Sequence, residues 1–538
     1  MSLHALKTGD TMKNIIVLVL SILLMFLATY IIQPVLNIHF LGWLIYPLII
    51  GLSIVLLGLL QGSFEKKVTK RIVASGLAVI ILSLLFLLVA SVASSPMINW
   101  RTKQSMLAIN EVSFDESVPN VDMENLIILD EFDAIRFSEQ LITKTDPAMG
   151  SMYSISERFG TISVINGQPF WLFPLEHNGF FKWKRNGVIP GYIKVNATTG
   201  DSEFVETTIK YAPSSYFSDD LHRRIYSEYK NVGLTDISFE VDNDGKPYWV
   251  ITAYTHKTLV STTDVVGSIV VDPLTGDLEY YAVDEQPEWI DRIFSVSIFN
   301  EQLDNWGKYV NGWWNPSDTG KLRDTDGKGY VFKDDNLFFY TGITSYGGDE
   351  ATTGFMIFNP RTGQAHYNRI SGSTETKAIG LMEELVQNAG YTANYPYLLN
   401  LNGEATYFST LSGNSGNVVG YAFASVKNYK AVAWGKTLRE AQTNYSRALV
   451  REGSTTNQLA DQSDKLKSVK GLVSRVGALS EGYYVVKFEG IDSIFTVSTD
   501  QYPMVALTNT TDEVEIKYIE TDETLKIDAI VFKNLSIK

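Results

Sequence analysis

The chain has 538 residues, with 45 Lys+Arg against 60 Asp+Glu for a net charge of −15, 12% aromatic residues and no cysteine. The lack of cysteine excludes disulfide scaffolds, thiolate-ligated zinc, iron–sulfur clusters and a thiol nucleophile. The acidic balance argues against nucleic acid as a partner, because that binding needs Lys and Arg at the phosphates.

The charge is unevenly placed: residues 1–100 carry a net +4 and the rest −19. Within those first hundred residues lie three uncharged apolar runs, Asn14–Ile32, Leu41–Leu60 and Ile72–Ser94. At 1.5 Å rise per residue each can cross a hydrocarbon core of about 30 Å. Each also exceeds the roughly 7–15 apolar residues of a cleavable signal peptide, and none has the polar stripe of a soluble amphipathic helix. Residues 1–95 therefore read as a membrane anchor of three transmembrane helices.

Lys66, Lys67, Lys70 and Arg71 lie between the second and third runs, whereas residues 33–40 hold no Lys or Arg. The positive-inside rule puts Lys66–Arg71 and the N-terminus in the cytoplasm, and everything beyond about residue 95 outside a cell membrane. Trp43, Tyr46 and Trp100 stand near run ends, where interfacial aromatics collect. No ionisable residue interrupts the runs, so no proton or ion pathway is signalled. Gly51 and Gly58 permit close helix contact and leave assembly into a homo-oligomer open.

Residues 96–150 read as an acidic linker followed by a helix over Glu131–Lys144. From 151 to 450 a self-similar unit recurs: an aromatic strand, a loop, a strand led by glycine, a tight turn and a returning strand. The copies are NGQPFWLFPLE…GYIKVNATTGDSEFVE (166–206), DGKPYWVITAY…GSIVVDPLTGDLEYYAV (244–283), DNLFFYTGIT…GFMIFNPRTGQAHYNRI (335–370) and GEATYFSTL…GYAFASVKNYKAVA (403–433). Their leading glycines are Gly191, Gly267, Gly354 and Gly420. Alternating polarity predicts two-faced strands, and the TG turns supply a residue suited to φ > 0. Hairpins of this kind are marginal alone, so helices over Ser218–Lys230, Thr376–Asn388 and Leu438–Val450 are expected to cover them. The fold class is α+β.

These residues resemble a known pattern. The run VVDPLTGDLEYY (270–281) looks like the PepSY domain of bacterial envelope proteins. More widely, NGQPFWLFPLEHNGFFKW, FEVDNDGKPYWV, PEWIDRIF (287–294) and NGWWNPSD (311–318) resemble a group of multi-span bacterial and phage-encoded membrane proteins of unassigned activity. The first copy has ATTG at its turn and the fourth lacks the turn. The resemblance implies a domain that inhibits or modulates envelope proteases or cell-wall enzymes.

A polar linker over 451–467 leads to five strand-like runs in 468–538, interrupted at 500–510 by a short helix or loop. They predict a small β-barrel of OB or SH3-like type. From Lys467 onward there are eight Lys+Arg against eleven Asp+Glu, which disfavours a nucleic-acid ligand.

Local catalytic motifs are missing: no H-E-x-x-H, Walker loop, G-x-G-x-x-G or G-x-S-x-G. His177, set among aromatics in PLEHNGFF, is the best-placed histidine for binding, although a hydrogen-bonded structural role is the commoner use of such a residue. Asp324, Asp326 and Asp335 occupy positions 1, 3 and 12 of an EF-hand-like Ca²⁺ loop, with Gly329 at position 6, but Lys328 stands where a ligand oxygen belongs. Asp242–Lys246 has a similar form and reads as a D-G hairpin turn. Trp313 and Trp314 are adjacent, so in extended chain one of them faces out and could stack on a glycan. Glu285, Glu288 and Asp291 could serve a paired-carboxylate glycosidase, or they solvate the start of a helix around PEWIDRIF.

The expected function is a non-enzymatic, membrane-anchored envelope protein whose extracytoplasmic repeats bind, scaffold or inhibit another envelope protein, with the lipid bilayer as its other partner and no cofactor beyond that candidate Ca²⁺. The alternative is a cell-wall glycan-binding or glycan-cleaving protein.

Overall fold

The computed structural model describes residues 2–537 apart from 61–66, 122–125, 146, 326, 334–335, 348–350, 402, 415, 453–465, 480–482, 500–501 and 520–525. The three apolar runs form helices Ser2–Ile32, Ile45–Leu60 and Lys67–Ala93, the second preceded by a 3-10 turn, Gly42–Leu44; the stretches Asn14–Ile32, Gly42–Leu60 and Lys67–Ala93 are long and apolar enough to cross a membrane. Their contacts use small side chains. Ser21 donates to Ser53 between the first two helices at 2.6 Å. Between the second and third, a Cβ on Gly76 would stand 2.7 Å from the Gly51 carbonyl oxygen, and one on Gly58 would stand 3.2 Å from the Val73 nitrogen. Gly51 and Gly58 are thus occupied in packing within the chain.

The folded body grips the helix ends directly. After the first span, the Leu36 amide donates to the Lys230 carbonyl at 2.7 Å, and the Tyr226 hydroxyl to the Pro34 carbonyl at 2.9 Å. After the third, Ser94 donates to the Thr258 carbonyl at 3.2 Å and accepts from the Val260 amide at 2.9 Å. Lys103 reaches Ser261 at 2.9 Å. The span ends at Ile32 and Ala93 therefore meet one body, and the helix ends at Leu60 and Lys67 lie at the opposite end of the helix pair.

All four sequence copies fold as antiparallel meanders: Gln168–His177 with Ile189–Asn196 and Ser202–Ile209; Pro247–Thr258 with Ser261–Val271 and Leu278–Ala282; Asn336–Ser345 with Gly354–Phe358 and Gln364–Asn368; Glu404–Ser412 with Val418–Ser425 and Val432–Gly435. Each gains a flanking antiparallel strand before its first: Thr161–Ile165, Gly233–Val241, Gly329–Lys333 and Tyr397–Leu401.

Two sequence features have a shared physical cause. The leading glycines lie where the return strand approaches closely: a Cβ on Gly191, Gly267 or Gly354 would overlap the carbonyl oxygen of Val205, Tyr281 or Asn368. The turns of the first three copies are built alike. Asn196, Asp272 and Asn359 each accept two main-chain amides on a side-chain oxygen, while Gly200, Gly276 and Gly363 take φ of 82°, 76° and 75°.

Helices cover these sheets. Glu131–Thr145 packs on the first, and Glu375–Leu385 and Leu438–Arg451 on the fourth. Ile298, Phe299 and Leu303 of Val296–Lys308 share a core with Val250 and Val270 of the second sheet and Met356 and Phe358 of the third. The stretch after the anchor also enters the body, where Ala108–Glu111 pairs in parallel with residues 364–367.

PEWIDRIF corrects one expectation. It is not the start of a helix, since the helix begins at Val296 behind the cap Ser295. The amides of this segment go to tertiary acceptors instead: Asp291 to Glu240, and Ile293 and Phe294 to the Pro360 carbonyl. Ile290 and Ile293 are fully buried.

At the C-terminus, strands Leu466–Leu479, Tyr483–Phe488, Ile494–Ser498, Glu513–Ile519 and Lys526–Asn534 form a closed barrel in which the first pairs with the second and fourth. The third and fifth run parallel, and a short helix, Pro503–Leu507, lies between the third and fourth. Val473, Val486, Phe488, Phe495 and Ile516 fill it.

Candidate functional site

A cleft of about 600 Å³ opens where the first three sheets meet. Asn166 and Gly167 come from the turn after Thr161–Ile165, Asn243 from the D-G turn, Glu288, Trp289 and Asp291 from the PEWIDRIF segment, and Asn359 and Arg361 from the third sheet's tight turn. Its volume is in the range of small-ligand sites, and amide, carboxylate and guanidinium groups converge on it.

Arg361 fixes the segment that forms one wall. Its guanidinium donates to the carbonyls of Glu288 at 2.7 Å and Gln286 at 2.9 Å. The Gln286 side chain in turn accepts from Ser268 and donates to the Tyr281 and Ala282 carbonyls. Trp289 stacks on Tyr248 with centroids 4.8 Å apart.

Beneath this wall is a buried carboxyl pair. Asp291 Oδ2 accepts from the Ser163 hydroxyl at 2.6 Å and the Val164 amide at 2.7 Å. Glu240 accepts from the Ser238 hydroxyl at 2.7 Å and the Asp291 amide at 3.0 Å. Burial pushes Asp291 up to about 6. Burial, with the Asp291 charge added, pushes Glu240 up to about 8. Asp291 has the stronger donors and ionises first, leaving Glu240 protonated at neutral pH. A neutral acid beside an ionised one can hold or pass a proton, but Glu240 is only 1% exposed, so the pair chiefly ties the first two sheets to the segment.

The residues expected from sequence are dispersed. His177 is buried, its ring 5.5 Å from Tyr153, with neither ring nitrogen hydrogen-bonded; burial lowers its pKa and keeps it neutral. Asp324 is paired with Lys328 at 2.7 Å, while Asp326 and Asp335 lie outside the described residues. No group of three or more His, Asp or Glu suited to a metal occurs among the described residues. Trp313 and Trp314 are 45% and 70% exposed, with rings 5.4 Å apart. Asp242 accepts the Asp244 and Lys246 amides in a plain hairpin turn. Of the three acids near PEWIDRIF, Glu288 and Asp291 line the cleft. Glu240 was missed, because a Glu in the alternating strand FEV (239–241) carries no signal that its face is buried.

No family model matches the chain, and no curated protein matches it. Among solved structures, a cobalt-substituted apocarotenoid oxygenase from Synechocystis is similar at 7% identity and TM-score 0.14, over 51% of this chain and 52% of that one. A GH43_1 enzyme from Xanthomonas citri complexed with xylotriose is similar at 10% identity and TM-score 0.17, over 73% of this chain and 99% of that one. The chain spans about half the length of the oxygenase. Likenesses of this size define neither fold nor activity for this chain.

Proposed function

We propose that this is a membrane-anchored envelope protein whose extracytoplasmic body holds a binding face at fixed height above the bilayer and there binds, scaffolds or inhibits another envelope protein. The observation that carries this reading is the direct hydrogen bonding of the body to both near-side span ends, through Leu36–Lys230, Tyr226–Pro34 and Ser94–Thr258. Such a mounting fixes the height and orientation at which the body meets a partner in the same membrane. The cations Lys66–Arg71 in the sequence between the second and third spans support a cytoplasmic placement of that end and an exterior body, in a cell membrane. The recurrent meanders, with matching glycines and turns, support descent from one repeated PepSY-like unit, and the five-stranded ring supports the OB or SH3-like type. Crosslinking of the full chain in its native membrane is expected to yield a defined protein partner joined through residues 150–450. Recovery of none, across crosslinkers of several lengths, sinks the proposal.

A second reading, glycan binding, is favoured by the exposed Trp313–Trp314 pair. In that case the full chain in nanodiscs is retained on insoluble peptidoglycan, and the double variant Trp313→Ala, Trp314→Ala is not. Equal behaviour of the two removes it.

A further inference from the structure

Beside helix Leu221–Glu228, which holds the first span through Arg223 and Tyr226, lies an aromatic and basic surface. Helix Phe180–Asn186 reads FFKWKRN, and Phe180 and Trp183 pack against Tyr216 and Phe217 with centroids 5.2–6.1 Å apart. Phe181 is 81% exposed and Phe217 56%. Phe217 also holds φ of 57°, a left-handed conformation that a bulky residue rarely adopts. Lys184 and Arg185 are exposed on the same short helix, and Lys182 is partly so.

The chain places this surface near the end of the first apolar helix. Six residues after Phe217, Arg223 donates to the Tyr30 carbonyl at 2.6 Å, and its guanidinium lies 3.8 Å from the Tyr30 ring. Tyr30 is in the last turn of the first span. Six residues reach at most about 20 Å, so the main chain of Phe217 stands within that distance of Arg223, whose side chain touches the span end, and Phe180 and Trp183 pack on Phe217. Aromatic rings with Lys and Arg beside them suit the headgroup layer, where rings reach the acyl boundary and cations meet phosphates.

We propose that Phe180–Asn186 and the turn Tyr216–Asp219 form an interfacial foot that dips into the bilayer the three helices cross, with Phe181 and Phe217 at the acyl boundary and Lys182, Lys184 and Arg185 on anionic lipid headgroups. The inference rests on the membrane-anchored reading of those helices. It gives the body a second lipid attachment beyond the spans.

The chain has no cysteine, so single labels are clean. Full-length Phe181→Cys, Phe217→Cys and Leu23→Cys, each carrying an environment-sensitive fluorophore, are placed in nanodiscs containing phosphatidylglycerol and nitroxide-labelled lipid. The labels at 181 and 217 are expected to be quenched, more strongly by a nitroxide near the headgroup than by one near the chain end, and the label at 23 in the opposite order. Combining Lys182→Gln, Lys184→Gln and Arg185→Gln should weaken quenching at 181. Quenching at 23 with none at 181 and 217 overturns the foot and leaves the anchor intact. No quenching at any of the three overturns the membrane reading with it.

Discussion

The main-chain amide of Asp291 donates to the side chain of Glu240 at 3.0 Å, joining a loop residue to the second sheet at a point where both carboxyls are buried. The pair makes stability pH-dependent. Because Glu240 is raised to about 8, the folded chain keeps a proton that the unfolded chain has released. That contribution is complete below the ordinary carboxylate range and is lost as pH climbs to about 8. Asp291 and Asp133, each raised to about 6, act the same way lower down. The unfolding temperature is therefore expected to fall between pH 6 and 8, and Glu240→Gln to flatten that upper part of the profile. An unchanged slope in calorimetry of the variant contradicts the assignment.

Arg361 donates to two carbonyls of the PEWIDRIF segment. Arg361→Ala is expected to cost about 2 kcal/mol, the scale of charge-assisted hydrogen bonds lost with their acceptors left behind. Arg361→Lys should recover little, since an ammonium cannot span both carbonyls. Denaturant unfolding of the two variants checks this; full recovery by Lys removes the two-point role.

Close packing of Gly76 on Gly51 predicts that Gly76→Ala destabilises the helix pair by about 1–3 kcal/mol through overpacking. Gly477, which has no heavy atom within 4 Å of its would-be Cβ, should accept Ala with little change. Thermal unfolding in detergent compares them, and equal effects refute the packing argument.

Mounting of the body on the first span passes through Arg223 and Tyr226. The double variant Arg223→Ala, Tyr226→Phe is expected to speed amide exchange at Leu36 and its neighbours while protection in the core strand Ile189–Asn196 persists. Exchange that quickens everywhere, or nowhere, tells against a local mounting.

Local signals were enough for the three apolar helices, the meanders and most covering helices: unbroken apolar runs, alternation, TG turns and helical spacing. Helix Glu131–Thr145 and the five C-terminal strands fall where periodicity puts them. The leading glycines were visible as a pattern, but their cause, a return-strand carbonyl where a Cβ would be, exists only once strands pair. PEWIDRIF was settled by long-range contacts. Its spacing suits a helix, yet acceptors more than forty residues away, Glu240 and Pro360, take the amides that a helix would have used. The cleft has the same origin: Asn166, Asn243, Asp291 and Arg361 come from three sheets, and no local pattern records which turns will face one another.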